Sequence, residues 1–336
     1  MAFTTAAQLA RRPKVFADYL VHRYANTSFL SAIGPLLLIR SLVNIGQSDD
    51  GMPPRVLDVG CGAGHATFLM SLLYPETSIV SADQDFVNVY LARRFLAPEA
   101  IHLCIDAEVP VPFPDNSFDA VFCLDAFHYL RSKKAIVTEL TRILKASGAW
   151  VFPHLHNKLQ PNFTAGIPLS PEGYLKCFEA ANPKLFDEAA VLRSLSAGRP
   201  PDWQTGSDPR DLTGCPNLTM IGGLRGDAEI NSSSLAALNP ISQYLQINPI
   251  FKVHRTRSAF RASFEWPNKV MASECAAVEE FIPSEVELTP DSLGKLQRGN
   301  WDWEDPEVRG LITRFVAVPL PSRYTPHTVP AGNDGG

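Results

Sequence analysis

Asp58, Gly60, Gly62 and Gly64 alternate along residues 58–64, and two further acids, Asp83 and Asp106, each close a short apolar run. Glycine reaches positive φ without strain and lets a ligand approach the backbone with no Cβ in the way. A helix that starts behind such a turn presents free N–H groups and a partial positive charge. Carboxylates accept hydroxyl and amino donors but repel phosphates. The set suits a nucleotide-like cofactor. A pyrophosphate fits it poorly. The dinucleotide fingerprint Gly-x-Gly-x-x-Gly fails in both frames, because His65 and Thr67 stand where its last glycine belongs. No Gly-Lys-Ser/Thr follows, so the Walker phosphate loop is also excluded. By residue type alone, the glycines also suit a bare tight turn, Asp83 a helix N-cap and Asp106 a loop.

These residues need strands and helices to hold them. The apolar runs Val56–Val59, Ser78–Ala82, Ile101–Ile105, Phe118–Leu124 and Ala149–Phe152 read as strands. Helical patterns lie between them at Ala66–Leu73, Phe86–Phe95 and Ser132–Leu144. Strands alternating with helices predict an α/β fold with a parallel sheet and right-handed crossovers. Ligands in such sheets sit at the carboxyl ends of the strands, where the glycine turn and both acids fall. Residues 1–50 read as an N-terminal helical cap, with Phe16, Leu20 and Tyr24 on one face, and residues 51–157 as the core. Residues 158–320 read as an acceptor or lid region, with helices over 171–181, 185–195 and 268–281. A closing hairpin is expected near 245–266, with Arg257-Ser258 at its turn, and a strand over 315–318. Residues 321–336 read as an irregular tail.

The run from Asp58 to Gly64 resembles motif I of the class I S-adenosylmethionine-dependent methyltransferases. The resemblance continues through Asp83, through Asp106-Ala107, through Pro112 to Asp119 and through Leu140 to Trp150. Together these span residues 55–155, and the Pro112–Asp119 loop is similar to that of small-molecule members of the quinone-biosynthesis type. The resemblance implies a Rossmann-like, seven-stranded, mostly parallel sheet with helices on both faces and a C-terminal extension. It implies S-adenosyl-L-methionine as cofactor, held by Asp58, Gly60, Cys61, Gly62, Gly64, Asp83, Gln84, Asp106, Ala107 and Cys123. Asp83 would take the ribose hydroxyls and Asp106 the adenine amino group. Phe86 and Val87 would sandwich the purine, and Tyr19 and Tyr24 would close over the cofactor or simply pack the helices. The implied reaction is methyl transfer to an oxygen or nitrogen of a small metabolite or natural product. The alternative is a non-methylating protein of the same fold, a cyclase, decarboxylase or binding partner.

If the acceptor must lose a proton, His128, His154 and His156 are the candidates for a base. His128 and His156 are the favoured pair, beyond the fourth and fifth strands. His154 and His156, two apart on a strand, point the same way, which also permits a metal pair. No third ligand is evident in the sequence, and no metal is expected. The C-terminal half carries Trp203, Trp266, Trp301 and Trp303. Such residues wall an apolar or aromatic acceptor pocket, pack a core or join two copies into a homodimer, and the sequence leaves these open.

Composition excludes several classes. The net charge is −5 and neither half is basic, which argues against nucleic-acid binding through phosphates. The run Phe29–Ile45 is broken by Pro35 and Arg40 and is too short for a membrane span. Six cysteines show no Cys-x-x-Cys spacing, and three of them, Cys61, Cys104 and Cys123, in or beside the expected strands, read as reduced core thiols, so a cytoplasmic location is expected.

Overall fold

Val56, Leu57 and Val59 are all buried, as a strand covered on both faces requires. The computed structural model describes residues 2–10, 14–42, 52–162, 164, 166–223, 244–257, 259–298, 305–322 and 324. Three helices open the chain: α1 (Phe3–Ala10), α2 (Lys14–Val21) and α3 (Thr27–Leu42). Then β1 (Arg55–Val59), α4 (His65–Leu73), β2 (Ser78–Asp83), α5 (Phe86–Leu91), β3 (Ile101–Cys104), β4 (Phe118–Phe122), α6 (Lys133–Ile143) and β5 (Leu144–His156) alternate as expected. After these come α7 (Pro171–Cys177), β6 (Lys184–Asp187), α8 (Glu188–Ser196) and β7 (Asn217–Gly222).

The strands form one seven-stranded sheet in the order β3-β2-β1-β4-β5-β7-β6. Neighbours from β3 to β5 pair parallel, and β7 runs antiparallel to both β5 and β6. The chain reverses direction of winding between β1 and β4, which opens a crevice at their carboxyl ends. Alternate residues of β1, β4 and β5 feed two separate cores. Val56, Ala120, Phe122 and Val151 pack with α3, α4 and α8, whereas Leu57, Val121 and Phe152 pack with α6 and α7. Helices therefore cover both faces.

The C-terminal part departs from the sequence expectation. The hairpin of β9 (Phe251–Arg255) and β10 (Phe260–Phe264) does form, but it does not close the main sheet. It joins β11 (Glu285–Leu288) in a three-stranded sheet of its own. The main sheet is closed by β6 and β7 instead. The cause lies at residues 184–187, where Leu185 and Phe186 are buried against β7 and the helix begins only at Glu188. Asp187 caps that helix by accepting from the Ala189 and Ala190 N–H groups. The core thus runs past residue 157. The strand expected at 315–318 is β12 (Ala317–Pro319), paired with β8 (Leu245–Ile247). The 268–281 helix is shorter than expected, with α9 at Lys269–Glu274 followed by a 3-10 turn at Ala276–Glu280. The last helices are α10 (Pro290–Arg298) and α11 (Pro306–Thr313). Trp301, Trp303, Ser258 and residues 325–336 lie outside the described residues. Among the described residues, no helix is long and apolar enough to cross a membrane. α3 is instead a core helix, with Phe29, Leu30 and Leu36–Ile39 buried.

Two buried polar contacts fasten the ends of this fold. The Tyr324 hydroxyl donates to the Val21 carbonyl at 3.0 Å and lies 2.9 Å from His65 Nε2. It ties the end of the described chain to α2 and to the first residue of α4. Tyr324→Phe leaves these buried groups without their partner and should cost about 1–3 kcal/mol in urea unfolding; an unchanged midpoint would refute that role. At the other contact, Thr67 Oγ1 donates to Asp58 Oδ2 at 2.6 Å, joining α4 to β1. Burial pushes the Asp58 carboxyl up to about 7 against that hydrogen bond, and the Asp83 charge adds to the rise. The folded chain then binds this proton more tightly than the unfolded chain, whose carboxyl titrates near ~3.9. The resulting stabilisation is complete below pH ~4 and disappears as pH rises towards ~7. Asp58→Asn cannot titrate, so its stability relative to wild type should improve by up to ~4 kcal/mol across that window. Urea titrations of both proteins at several pH values check this, and a difference constant with pH would contradict it.

Candidate functional site

β1 ends at Val59, and the chain turns into α4 through Gly60, Gly62 and Gly64 at φ 69°, 55° and 87°. A Cβ on Gly60 would lie 2.5 Å from the Ala126 Cβ, so only glycine lets the loops after β1 and β4 meet. A Cβ on Gly62 would touch nothing within 4 Å, because this backbone faces a cavity. The Gly60 and Cys61 N–H groups both donate to the Ala82 carbonyl, at 2.8 and 3.1 Å. The Gly62 N–H donates to Asp83 Oδ2 at 2.9 Å, and the Asp85 N–H to Asp83 Oδ1 at 2.8 Å. Asp85 is the N-cap of α5, accepting from the Val87 N–H. Asp83 is thereby released from capping and held with lone pairs to spare.

The cavity measures about 980 Å³. Asp58, Gly60, Cys61, Gly62, Asp83, Gln84, Asp106, Ala107 and His156 all border it. Gly64, Cys123 and His128 do not. Gly64 sits behind the turn, where a Cβ would come 2.7 Å from that of Ala92. Cys123 is buried in the second core, its N–H donating to the Val151 carbonyl and its thiol pushed up by burial. Phe86 is 68% exposed, and neither it nor Val87 borders the cavity; Asn88 of the same helix does. Tyr19 lines the cavity, whereas Tyr24 lies in a 3-10 turn after α2 and packs against Phe29, His65 and Tyr324. Trp203 packs on Phe186 in the core, and Trp266 donates to Glu279. Neither tryptophan reaches the cavity; its outer wall comes from α2 and from residues 270–277. Asn268 fastens that wall by donating to Asp18 Oδ2 of α2 at 3.1 Å.

At the glycine end the described lining carries Asp58, Asp83, Asp85 and Asp106 and no lysine or arginine. That donor set fits a phosphate-free cofactor with a ribose, an amino group and a sulfonium charge. It does not fit a pyrophosphate.

A second polar group lies beyond β4 and β5. Asp125, at φ 53°, accepts through Oδ2 from the Tyr19 hydroxyl at 3.0 Å and from Arg23 Nη1 at 3.1 Å. Its Oδ1 lies 3.4 Å from His156 Nε2 and 3.7 Å from His154 Nε2. His154, at φ 58°, places its Nδ1 2.8 Å from Glu188 Oε2 of α8. His156 Nδ1 is 3.3 Å from the Thr164 hydroxyl. The His128 ring stacks on that of His156, centroids 3.7 Å apart, and both its nitrogens are buried without a hydrogen-bond partner. Burial would raise the Asp125 carboxyl, but His154, Arg23 and His156 together hold it well below the carboxylate range. Burial likewise opposes protonation of His154, and the Glu188 and Asp125 carboxylates outweigh it and raise this imidazole. His128 is pushed down to about 3, by burial first and then by His156, so it is a weak proton acceptor near neutrality. Asp125, Arg23 and Glu188 were not singled out in the sequence. Asp125 was detectable, three residues before His128 at a strand end. Glu188 carries no local signal, because the sequence over 185–195 predicts one helix with no strand before it.

A family model described as a methyltransferase domain matches residues 57–152. The malonyl-[acyl-carrier protein] O-methyltransferase of Legionella pneumophila is 30% identical over 118 residues, covering 34% of this chain and 42% of that protein. The 2-methyl-6-phytyl-1,4-hydroquinone methyltransferase of Synechocystis is 32% identical over 107 residues, covering 30% and 33%. The ajmaline N-methyltransferase of Rauvolfia serpentina is 28% identical over 116 residues, covering 33% and 39%. The chain thus spans less than half the length of these relatives. Glycine turn, strand-end acids, sheet order and family match agree: residues 57–152 are a methyltransferase domain of the class I S-adenosylmethionine-dependent kind.

Proposed function

We propose that this protein transfers the methyl group of S-adenosylmethionine to an oxygen or nitrogen of a small, partly apolar molecule. One observation carries the reading. A single cavity runs from the glycine turn, Asp83 and Asp106 to His154 and His156, walled by Phe16, Leu20, Val270 and Met271. Its volume suits a cofactor with a small acceptor beside it. Relatives named for O- and N-methylation support the choice of acceptor atom.

In this reading Asp83, oriented by the Gly62 and Asp85 N–H groups, accepts from the ribose hydroxyls. Asp106 accepts from the adenine amino group, with Gln84 and Ala107 beside it, and the backbone of residues 60–62 follows the methionine end. When bound, the cofactor supplies an electrophilic methyl group. The chain supplies alignment of acceptor and methyl, which is worth several kcal/mol when two reactants are held in line. The wall formed by α2 and residues 270–277 keeps water from the reacting atoms. His156, with His128 stacked behind it, handles the acceptor.

Calorimetry with S-adenosylmethionine and S-adenosylhomocysteine tests the cofactor, and no heat with either would sink the proposal. Asp83→Ala should weaken S-adenosylhomocysteine by about 1–3 kcal/mol, roughly 5- to 150-fold; an unaltered affinity would remove the ribose role. Incubation with methyl-labelled cofactor and fractionated small-molecule extracts should yield labelled products, and binding without transfer would favour a non-methylating protein.

A further inference from the structure

We propose that Asp125, His128 and His156 bind a divalent transition-metal ion of the zinc type at the acceptor end of the cavity. Among the described residues these three each offer one ligand atom, and all three atoms lie within 4.8 Å of one another. Two imidazole nitrogens and one carboxylate oxygen are the donors such ions select, whereas magnesium and calcium prefer oxygen alone. A tetrahedral zinc site with bonds near 2.1 Å has ligand edges of about 3.4 Å. The distance from His156 Nε2 to Asp125 Oδ1 is 3.4 Å.

The surroundings leave these atoms open while fixing the rest. Tyr19 and Arg23 hold Asp125 through Oδ2, which leaves Oδ1 turned towards His156 and His154. The Thr164 hydroxyl meets His156 at Nδ1, so Nε2 stays available. Such outer contacts on the far atom of a ligand orient it towards a metal. His128 is the anomaly that a metal resolves. It is fully buried, and neither of its nitrogens has a partner. Burying a polar group with no partner costs free energy. In the stacked arrangement the two rings lie within 15° of parallel, so His128 must turn out of the stack to converge on the ion. That rotation breaks no hydrogen bond, because the ring makes none. The Arg23 charge opposes a cation here, and the carboxylates of Asp125 and of Glu188, which lies on His154, offset it. Asp125 and His156 border the cavity, so the remaining coordination positions face the space in which an acceptor would lie. A three-ligand site of this kind keeps a position free for an oxygen or nitrogen of a bound molecule.

This inference deepens the methyl-transfer reading of the same cavity, but its test reads metal binding and can fail independently. The untagged full chain, stripped with chelator, is titrated with cobalt(II) by visible absorption and with zinc(II) by calorimetry. One ion per chain is expected. His128→Ala and His156→Ala should each weaken it roughly 10- to 100-fold or more. His254→Ala, on the exposed strand β9, should leave it unchanged. X-ray absorption of the zinc-loaded wild type needs no variant and should show a nitrogen and oxygen shell with two imidazoles. Absence of equimolar binding, a shell without two imidazoles, or wild-type affinity in either the His128 or the His156 variant would each overturn the proposal.

Discussion

Gly60 and Ala126 meet where β1 and β4 end, with no room between them for a single extra carbon. That contact joins two halves of the site. The loop after β1 carries the glycine cradle, and the loop after β4 carries Asp125 and His128. The sheet order places β1 and β4 side by side, and the reversal of winding between them leaves their carboxyl ends uncovered by a crossover helix. A side chain at residue 60 would push the loops apart. The positive φ of the turn and the close approach thus impose the same residue for two reasons.

Around this contact the chain has arranged buried charges in a connected series. Arg23 and Tyr19 of the N-terminal segment reach Asp125, which faces His154 and His156, and His154 reaches Glu188 on α8. Isolated charges at such depth would be costly, and each here has an opposite charge or a hydrogen-bond partner. The series links the cap, the sheet and the far helix through the acceptor end of the cavity. Its two non-glycine residues at positive φ, Asp125 and His154, sit at the ends of β4 and within β5. Such backbone strain persists where surrounding contacts hold it, and it concentrates at functional sites.

Much of the glycine end could be read from local pattern. Val56 to Gly64 is a strand, a turn and a helix start whatever surrounds it, and Asp83 and Asp106 end strands that their own apolar runs define. The same logic failed at residues 185–195. Leu185 and Phe186 fit a helix face as well as a buried strand, and only pairing with β7 decided between them. The alternation within 245–266 predicts a hairpin, and β9 and β10 form one. Its partner, β11, lies far along the chain, and no local feature specifies that choice. The tryptophans stay ambiguous in the sequence for a similar reason. Bulk and apolarity say that Trp203 is covered, not what covers it.

The sequence by itself determined the parts that depend on neighbours in the chain. These are the φ > 0 turn, the alternation of strand and helix, the acids at strand ends and the paired histidines of β5. Backbone sterics and hydrophobic period act over a few residues, so they are written locally. The tertiary structure alone decided which groups meet across the fold. It brought His128 onto His156, Asp125 between Arg23 and the histidines, and Glu188 under His154, through contacts separated by up to 102 residues of chain. Those meetings follow from the order and register of the sheet, which hydrogen bonds between distant strands and burial of two separate cores select together.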